Sequence, residues 1–339
     1  MDNTVTLITG AAGFIGYHLC RELLKNGEKI IGIDNLNSYY NIKLKRARLN
    51  NLGISDKQAL PYNTRINSIK EKGFRFINLD IADRENLPLL FKAFKIKRVV
   101  NLAAQAGVRY SIDSPFSYVD SNLVGFSNIL ECCRNFNTQK LIYATSSSVY
   151  GDDKDLPFRE ESINIKQKSF YAVTKRANEL MARCYSDLYN LEAIGLRFFT
   201  VYGPWGRPDM APILFAKAIL NNQEITVFNN GNLFRDFTYV DDIISGIVAV
   251  LSTKENLKHT LLNIGYGSPI NLLDFISLLE KSFGKKAKKK FVAMQPGDVY
   301  KTWADISKLK SLTKYKPRID LKTGINKFVK WYLKYAHNN

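Results

Sequence analysis

The stretch "VTLITGAAGFIGYHL", Val5 to Leu19, decides the fold. An apolar, β-forming run leads into a turn carrying Gly10, Gly13 and Gly16, and an amphipathic helix starts at Phe14. Glycine at such places permits a tight turn, close approach of backbone to a pyrophosphate and close packing of helix on sheet. The helix N-terminus then faces the phosphates. A glycine triplet alone is a weak signal, and its context makes it strong. A strand precedes it, a helix follows, and Asp34 closes the next apolar run, "KIIGID". A carboxylate there accepts hydrogen bonds from both hydroxyls of a ribose and disfavours a 2′-phosphate, so NAD is expected rather than NADP.

Outward from this turn, apolar runs alternate with amphipathic ones. "KIIGID" is followed by a helix near Tyr40, "FRFINLD" by one near Leu87, and "VVNLA" by one from about Pro115 to Phe136. "KLIYATSS" then precedes a helix from Ser169, which leads into "EAIGLRFF". Strand and crossover helix in strict turn specify an α/β chain with a Rossmann-type doubly wound parallel sheet. Beyond Thr200 the rhythm breaks into Pro- and Gly-bearing loops, short strands such as "EITVF" and "FRDFTYV", and helices near Ile243, Leu272 and Leu321. The expected division is a dinucleotide-binding domain over residues 1–200, completed by a strand and helix from about 230–265, and a smaller C-terminal α/β lobe over 201–339, interleaved with the first. Residues 53–73 read as a long surface loop.

Composition narrows the function. A chain of 339 residues with 45% apolar and 24% charged content is an ordinary globular, enzyme-sized protein. Its net charge of +18 has no nucleic-acid-binding motif beside it, and the densest run, "KKAKKK" at 285–290, lacks interleaved aromatics. It reads as a solvated face, so no nucleic-acid partner is expected. The four cysteines form no CxxC pair, and no apolar run reaches the roughly 20 residues that span a bilayer. A cytoplasmic protein with no stable membrane insertion is expected. The three histidines are scattered, which argues against a multi-histidine metal site or a Ser-His-Asp triad.

A tyrosine with a lysine four residues later occurs at Tyr39/Lys43, Tyr150/Lys154 and Tyr171/Lys175. Tyr150 is followed by "GDD", poor helix material, so its lysine need not share its face. Tyr39 follows Asp34 closely, at the adenosine end of a dinucleotide. Tyr171 opens the strong helical run "YAVTKRANELMARCY", after a strand whose C-terminal end borders the ligand crevice. Tyr171 and Lys175 then face one way. A phenol with an ordinary pKa near 10 is a poor base, and an adjacent cation favours its ionised form.

The spacing GxxGxxG, "NLAAQAG" and this YxxxK together resemble the extended short-chain dehydrogenase/reductase superfamily over nearly the whole chain. The resemblance implies cofactor contacts from Gly10, Gly13, Phe14, Ile15, Gly16, Asp34, Asn35, Leu102, Ala103 and Ala104, with Asp80 and Ile81 of "LDIAD" against the adenine. Tyr171 and Lys175 serve both catalysis and cofactor. In "ATSSSVYGDD" Ser146 falls at the superfamily's catalytic Ser/Thr position, while Ser147 and Ser148 are further candidates for relaying the proton or touching substrate. Related sugar-nucleotide dehydratases carry an Asp-Glu pair, and decarboxylating relatives a Glu, where this chain has those two serines.

"LRFFTVYGPWGRPDMAPILF", "DNLNSYYNIKLKRARL" and "MQPGDVYKTWADI" are similar to the UDP-glucuronate 4-epimerases. This implies that Thr200 and Arg207 face a sugar carboxylate and that Arg235 and Asp298 hold the pyrophosphate and uridine ribose; Arg109 of "AGVRYS", which follows the fourth strand, is a further candidate to reach the substrate. Guanidinium forks suit carboxylate and phosphate. The implied reaction is C4 epimerisation of a UDP-sugar through a 4-keto intermediate, with tightly bound NAD. A UDP-glucose or UDP-N-acetylhexosamine epimerase, or a decarboxylase or dehydratase, is the alternative. Thr302 stands where the galactose epimerases have a tyrosine, which leaves a roomier sugar pocket. A homodimer built on a four-helix bundle of the helices at Ser114–Asn135 and Ser169–Tyr189 is also implied.

Overall fold

A computed structural model describes residues 4–55, 57–162, 166–294 and 299–337. In chain order its first part comprises β1 (Val5–Thr9), α1 (Phe14–Lys25), β2 (Lys29–Asp34), α2 (Ile42–Asn51), β3 (Arg65–Asn67), β4 (Phe74–Asn78), α3 (Asn86–Phe94) and β5 (Arg98–Asn101). Short α4 (Tyr110–Asp113) and α5 (Pro115–Tyr118) follow, then α6 (Phe126–Asn135), β6 (Lys140–Ser146), α7 (Phe170–Tyr189) and β7 (Glu192–Phe198).

These strands form one eight-stranded sheet in the order His259–Ile264, β7, β6, β5, β1, β2, β4, β3. β1 pairs in parallel with β2 on one side and β5 on the other, in register Thr9 to Ile33 and Thr9 to Asn101. The strand order therefore reverses at β1, and the glycine turn opens at that switch point, where α/β sheets take their ligands. Leu7, Ile31, Val99 and Leu141 are wholly buried at the centre of the strands, as expected when helices cover both faces. Each such side chain contributes about 1.5–3 kcal/mol by leaving water.

Two features depart from the sequence reading. Residues 65–67, expected within a loop, form β3, paired antiparallel with β4 at Ile66↔Phe76. The helix expected from about Pro115 to Phe136 is interrupted by a wider π-type turn, Val119–Gly125. Gly125 sits there under Ile81, whose Cγ1 lies 2.6 Å from where a Cβ would be.

The chain divides into two compact units, one of Met1–Val149, Ser169–Arg197 and Ile247–Leu262, the other of Tyr150–Lys168, Phe198–Gly246 and Asn263–Asn339. In the second, Thr200–Tyr202 pairs in parallel with Phe237–Tyr239, and Phe234–Arg235 lies between Ile270–Asn271 and Lys301–Thr302. Phe237 stacks on Phe275 at 4.2 Å. Buried Asp236 accepts hydrogen bonds from the backbone N–H groups of Tyr266, Gly267 and Ala304 and from Thr238. It thereby fixes the chain on either side of Arg235.

Candidate functional site

The glycine turn is bare backbone by necessity. Gly10 has φ +68°, and a Cβ on it would come 2.9 Å from the Ala103 nitrogen. A Cβ on Gly13 would meet the Gly10 carbonyl oxygen at 2.9 Å, and one on Gly16 would meet it at 2.1 Å. Gly13 caps α1 without a side-chain hydrogen bond, so the first N–H groups of α1 are presented at the turn. Phe14 is buried behind it and Ile15 half-buried. Thr9 donates to Asn101 at 2.7 Å and accepts from the Ala103 N–H at 3.0 Å, which brings the half-buried Leu102, Ala103 and Ala104 against the turn.

Asp34, at the end of β2, is buried. Its Oδ1 accepts from the Leu36 N–H at 2.9 Å and from Lys45 at 3.2 Å, which fixes the carboxylate at the end of the strand. Asn35 donates to Asp80 at 2.8 Å, so the loop after β2 and the loop after β4 close on each other. Ile81 is buried beside them. Bare turn, oriented carboxylate and flanking loops fit an NAD-type dinucleotide.

The catalytic candidates gather at β6 and α7. Ser169 caps α7 by accepting from the Ala172 N–H at 3.1 Å, which starts the helix one residue before Tyr171. Lys175, buried, donates to the Ala144 carbonyl at 2.9 Å. Ser146 lies two residues further along the same strand, donates to Ser148 Oγ at 3.1 Å and accepts the Ser148 N–H. The Tyr171 ring packs edge-on to Tyr118, centroids 6.0 Å apart. Burial pushes Lys175 down to about 8, and nearby Glu179 opposes that shift. Lys175 is thus a cation at neutral pH that sheds its proton far more readily than a surface lysine.

Arg109 is exposed and precedes α4. In the second unit Thr200 donates its N–H to the Asp236 carbonyl at 3.0 Å. Arg207 holds Asp209 with both arms, Nη2 to Oδ2 at 2.5 Å and Nε to Oδ1 at 3.1 Å. Arg235 donates to the Phe234 carbonyl at 2.9 Å, with Thr302 opposite it in the ladder. Asp298 lies outside the described residues.

The other two YxxxK matches separate cleanly. Tyr150 is buried, stacked on Phe158 at 4.5 Å and bonded to Asn263 at 2.7 Å, while Lys154 is exposed outside any helix. Tyr39 precedes α2 in the loop after Asp34.

Several residues around the site escaped the sequence reading. Glu179 accepts from Thr145 at 2.8 Å, from both arms of Arg197 at 2.9 Å and from Arg176 at 2.8 Å. Burial acts to raise the Glu179 carboxyl, and the Arg197 bonds and charge outweigh it and hold it below the usual range. Asn122, in the π turn, accepts the Gln105 N–H at 2.8 Å and donates to Thr174 at 3.0 Å, joining the loop after β5 to α7. Lys45 and Arg48, both buried on α2, brace Asp34 and the Ala12 carbonyl of the glycine turn. Glu179 was findable, one turn past Lys175 on the same face. Arg48 and Asn122 have no local signal.

Comparison with known proteins agrees with this geometry. The profile of the NAD dependent epimerase/dehydratase family matches residues 6–265. The chain is 46% identical to Protein CapI of Staphylococcus aureus, over 97% of this chain and 98% of that one. It is 43% identical to UDP-glucuronate 4-epimerase 4 of Arabidopsis thaliana, over 98% of this chain and 76% of that one. Among solved structures, UDP-glucuronic acid 4-epimerase from Bacillus cereus, in complex with UDP-glucuronic acid and NAD, superposes with a TM-score of 0.88 at 36% identity, over 98% of this chain and 100% of that one. With the glycine turn, Asp34 and the Tyr171–Lys175 helix in place, the chain belongs to the NAD dependent epimerase/dehydratase family.

Proposed function

We propose that this protein is an NAD-dependent UDP-glucuronate 4-epimerase, which inverts C4 of UDP-glucuronate to give UDP-galacturonate through a transient 4-keto sugar. The observation that carries the reading is the Tyr171–Lys175 pair on α7, with Lys175 fastened to the Ala144 carbonyl on the strand that ends in Ser146. Similarity over 98% of this chain to enzymes named for this reaction supports it.

NAD, when bound, would supply the acceptor and donor of the C4 hydride, so the cycle would have no net redox change. Tyr171, ionised under the influence of the Lys175 cation, accepts the proton of the 4-hydroxyl through the Ser146 hydroxyl. The proton then returns along the same path when the other face of the sugar is presented. Gly10, Gly13 and Gly16 with the N-terminus of α1 hold the pyrophosphate of NAD. Asp34 holds its ribose, and Asp80 and Ile81 flank its adenine. Arg235 and Asp298 are proposed to hold the pyrophosphate and ribose of the UDP moiety, and Arg109, Ser147 and Ser148 to contact the sugar.

The 4-keto uronate is a β-keto acid and loses CO2 when its breaking bond lines up with the carbonyl π system. We assign Thr200 and Arg207 to holding the carboxylate out of that alignment. The Asp209 fork pre-orients the guanidinium for this task. The serines at 147 and 148 supply no acid for dehydration or assisted decarboxylation.

A cytoplasmic homodimer that serves polysaccharide-precursor supply is the setting proposed. Val173, Leu180 and Leu188 are exposed on one face of α7 with Cys184 between them, an apolar stripe suited to a helix pair from a second copy. No helix among the described residues is long and apolar enough to cross a membrane.

Incubation with UDP-glucuronate and chromatography of the nucleotide sugars tests the function. A second uronate peak of unchanged mass supports it, and a lighter product, or none, counts against it.

A further inference from the structure

The Tyr39/Lys43 match has no part in the proposed chemistry, yet Tyr39 does not stand idle. Its ring lies against that of Tyr110, with centroids 4.7 Å apart and planes inclined at 50°. Tyr39 belongs to the loop that follows β2, and Tyr110 opens α4 after β5. In the sheet β2 and β5 are the two neighbours of β1, all three parallel, so the loops leave the same edge on opposite sides of the glycine turn. By this topology a contact between those loops crosses the carboxyl end of β1, where the glycine turn opens. We propose that Tyr39 and Tyr110 form an aromatic strap across the dinucleotide groove which retains NAD between turnovers.

Both ends of the strap are anchored. On one side Tyr39 packs on Tyr40 at 6.0 Å, and the Tyr40 hydroxyl accepts from Arg48 at 2.8 Å, the same guanidinium nitrogen that holds the Ala12 carbonyl of the glycine turn. On the other side Tyr110 packs on Tyr118 at 6.2 Å, and Tyr118 donates to the Gly107 carbonyl at 2.5 Å and meets Tyr171 edge-on. The ring series therefore runs from the adenosine end of the groove to the catalytic phenol. Tyr39 and Tyr110 are themselves half-buried, so the contact between them can open without unfolding either anchor. An epimerase needs such a device. Its cofactor is restored in every cycle, and release of a reduced dinucleotide in mid-cycle would strand the 4-keto sugar.

The inference rests on NAD being the resident cofactor, and the test separates the two ideas. Protein is purified without added dinucleotide and dialysed, and bound NAD is released by acid and quantified over time. Wild type and Tyr39→Phe are expected to retain it, whereas Tyr39→Ala and Tyr110→Ala release it up to about tenfold faster, the scale of one aromatic pair. The double alanine variant should release it no faster than either single one, because the same contact is lost once. Tyr39→Leu keeps the apolar bulk without the ring and gives the same answer should an alanine variant fold poorly. Release at the wild-type rate from the alanine variants, or two losses that simply add, would overturn the strap. Wild-type protein that neither carries nor takes up NAD would overturn the cofactor reading and the strap with it.

Discussion

Glu179 receives both arms of the Arg197 guanidinium, Nε to Oε1 and Nη2 to Oε2, each at 2.9 Å, one helical turn beyond Lys175. Both side chains are only 1% exposed. The same carboxylate takes the Thr145 hydroxyl, and Thr145 stands between Ala144, which holds Lys175, and the catalytic candidate Ser146. Two adjacent rungs thus lock β6 to α7.

Glu179→Gln leaves Arg197 buried with no full counter-charge. Removing one partner of a buried pair costs about 3–5 kcal/mol, and that loss is expected here by urea denaturation. Arg183 and Asp187 form a surface pair on the same helix, 62% and 61% exposed. Arg183→Ala should cost no more than about 1 kcal/mol. Equal losses from the two variants would contradict the distinction.

Lys175→Met should abolish turnover yet stabilise the fold. The folded pKa lies near 8, below the ordinary 10.5, so between those values the folded state binds fewer protons than the unfolded one and stability rises with pH. The cost of burying the cation is fully present below pH 8, about 3 kcal/mol at most, and gone above 10.5. Melting of wild type and variant should differ most below pH 8 and converge as pH rises. In the wild type, turnover should decline above about pH 8 as Lys175 loses its charge and with it the support for the Tyr171 phenolate.

Gly16→Ala would place a methyl carbon 2.1 Å from the Gly10 carbonyl oxygen, where only backbone movement can relieve it. Strain of this kind typically costs about 1–3 kcal/mol, and here the movement also displaces the N–H groups at the start of α1. The variant should contain less NAD as purified, and added NAD should raise its melting temperature less than it raises that of wild type.

Arg207→Ala should keep measurable turnover but divert part of the substrate to a 4-keto pentose nucleotide and CO2, detected by mass. No more of that product than wild type makes would remove Arg207 from the role of restraining the carboxylate.

The legible part of this protein was the part coded locally. Gly10, Gly13, Gly16 and Asp34 lie in one βαβ unit, and Tyr171 and Lys175 lie on one helix, so spacing alone placed them together. The Tyr150 match could be set aside on the "GDD" that follows it, although its burial against Phe158 and its bond to Asn263 could not be foreseen. Partners distant in sequence stayed hidden. Arg48 meets Ala12, Asn122 meets Gln105 and Thr174, and Arg197 meets Glu179 only once the sheet has formed. β3 is three residues long, too short to show a period of two, and the π turn at Val119–Gly125 leaves no mark on a helical apolar pattern.

The central claim is that the hydride taken from C4 is the one returned to its opposite face. UDP-glucuronate deuterated at C4, turned over by the purified protein in ordinary water, tests it most directly. The account predicts UDP-galacturonate with the deuterium still on C4 and the mass of the sugar unchanged. Deuterium lost to solvent, or a product lighter by CO2 or water, would contradict it.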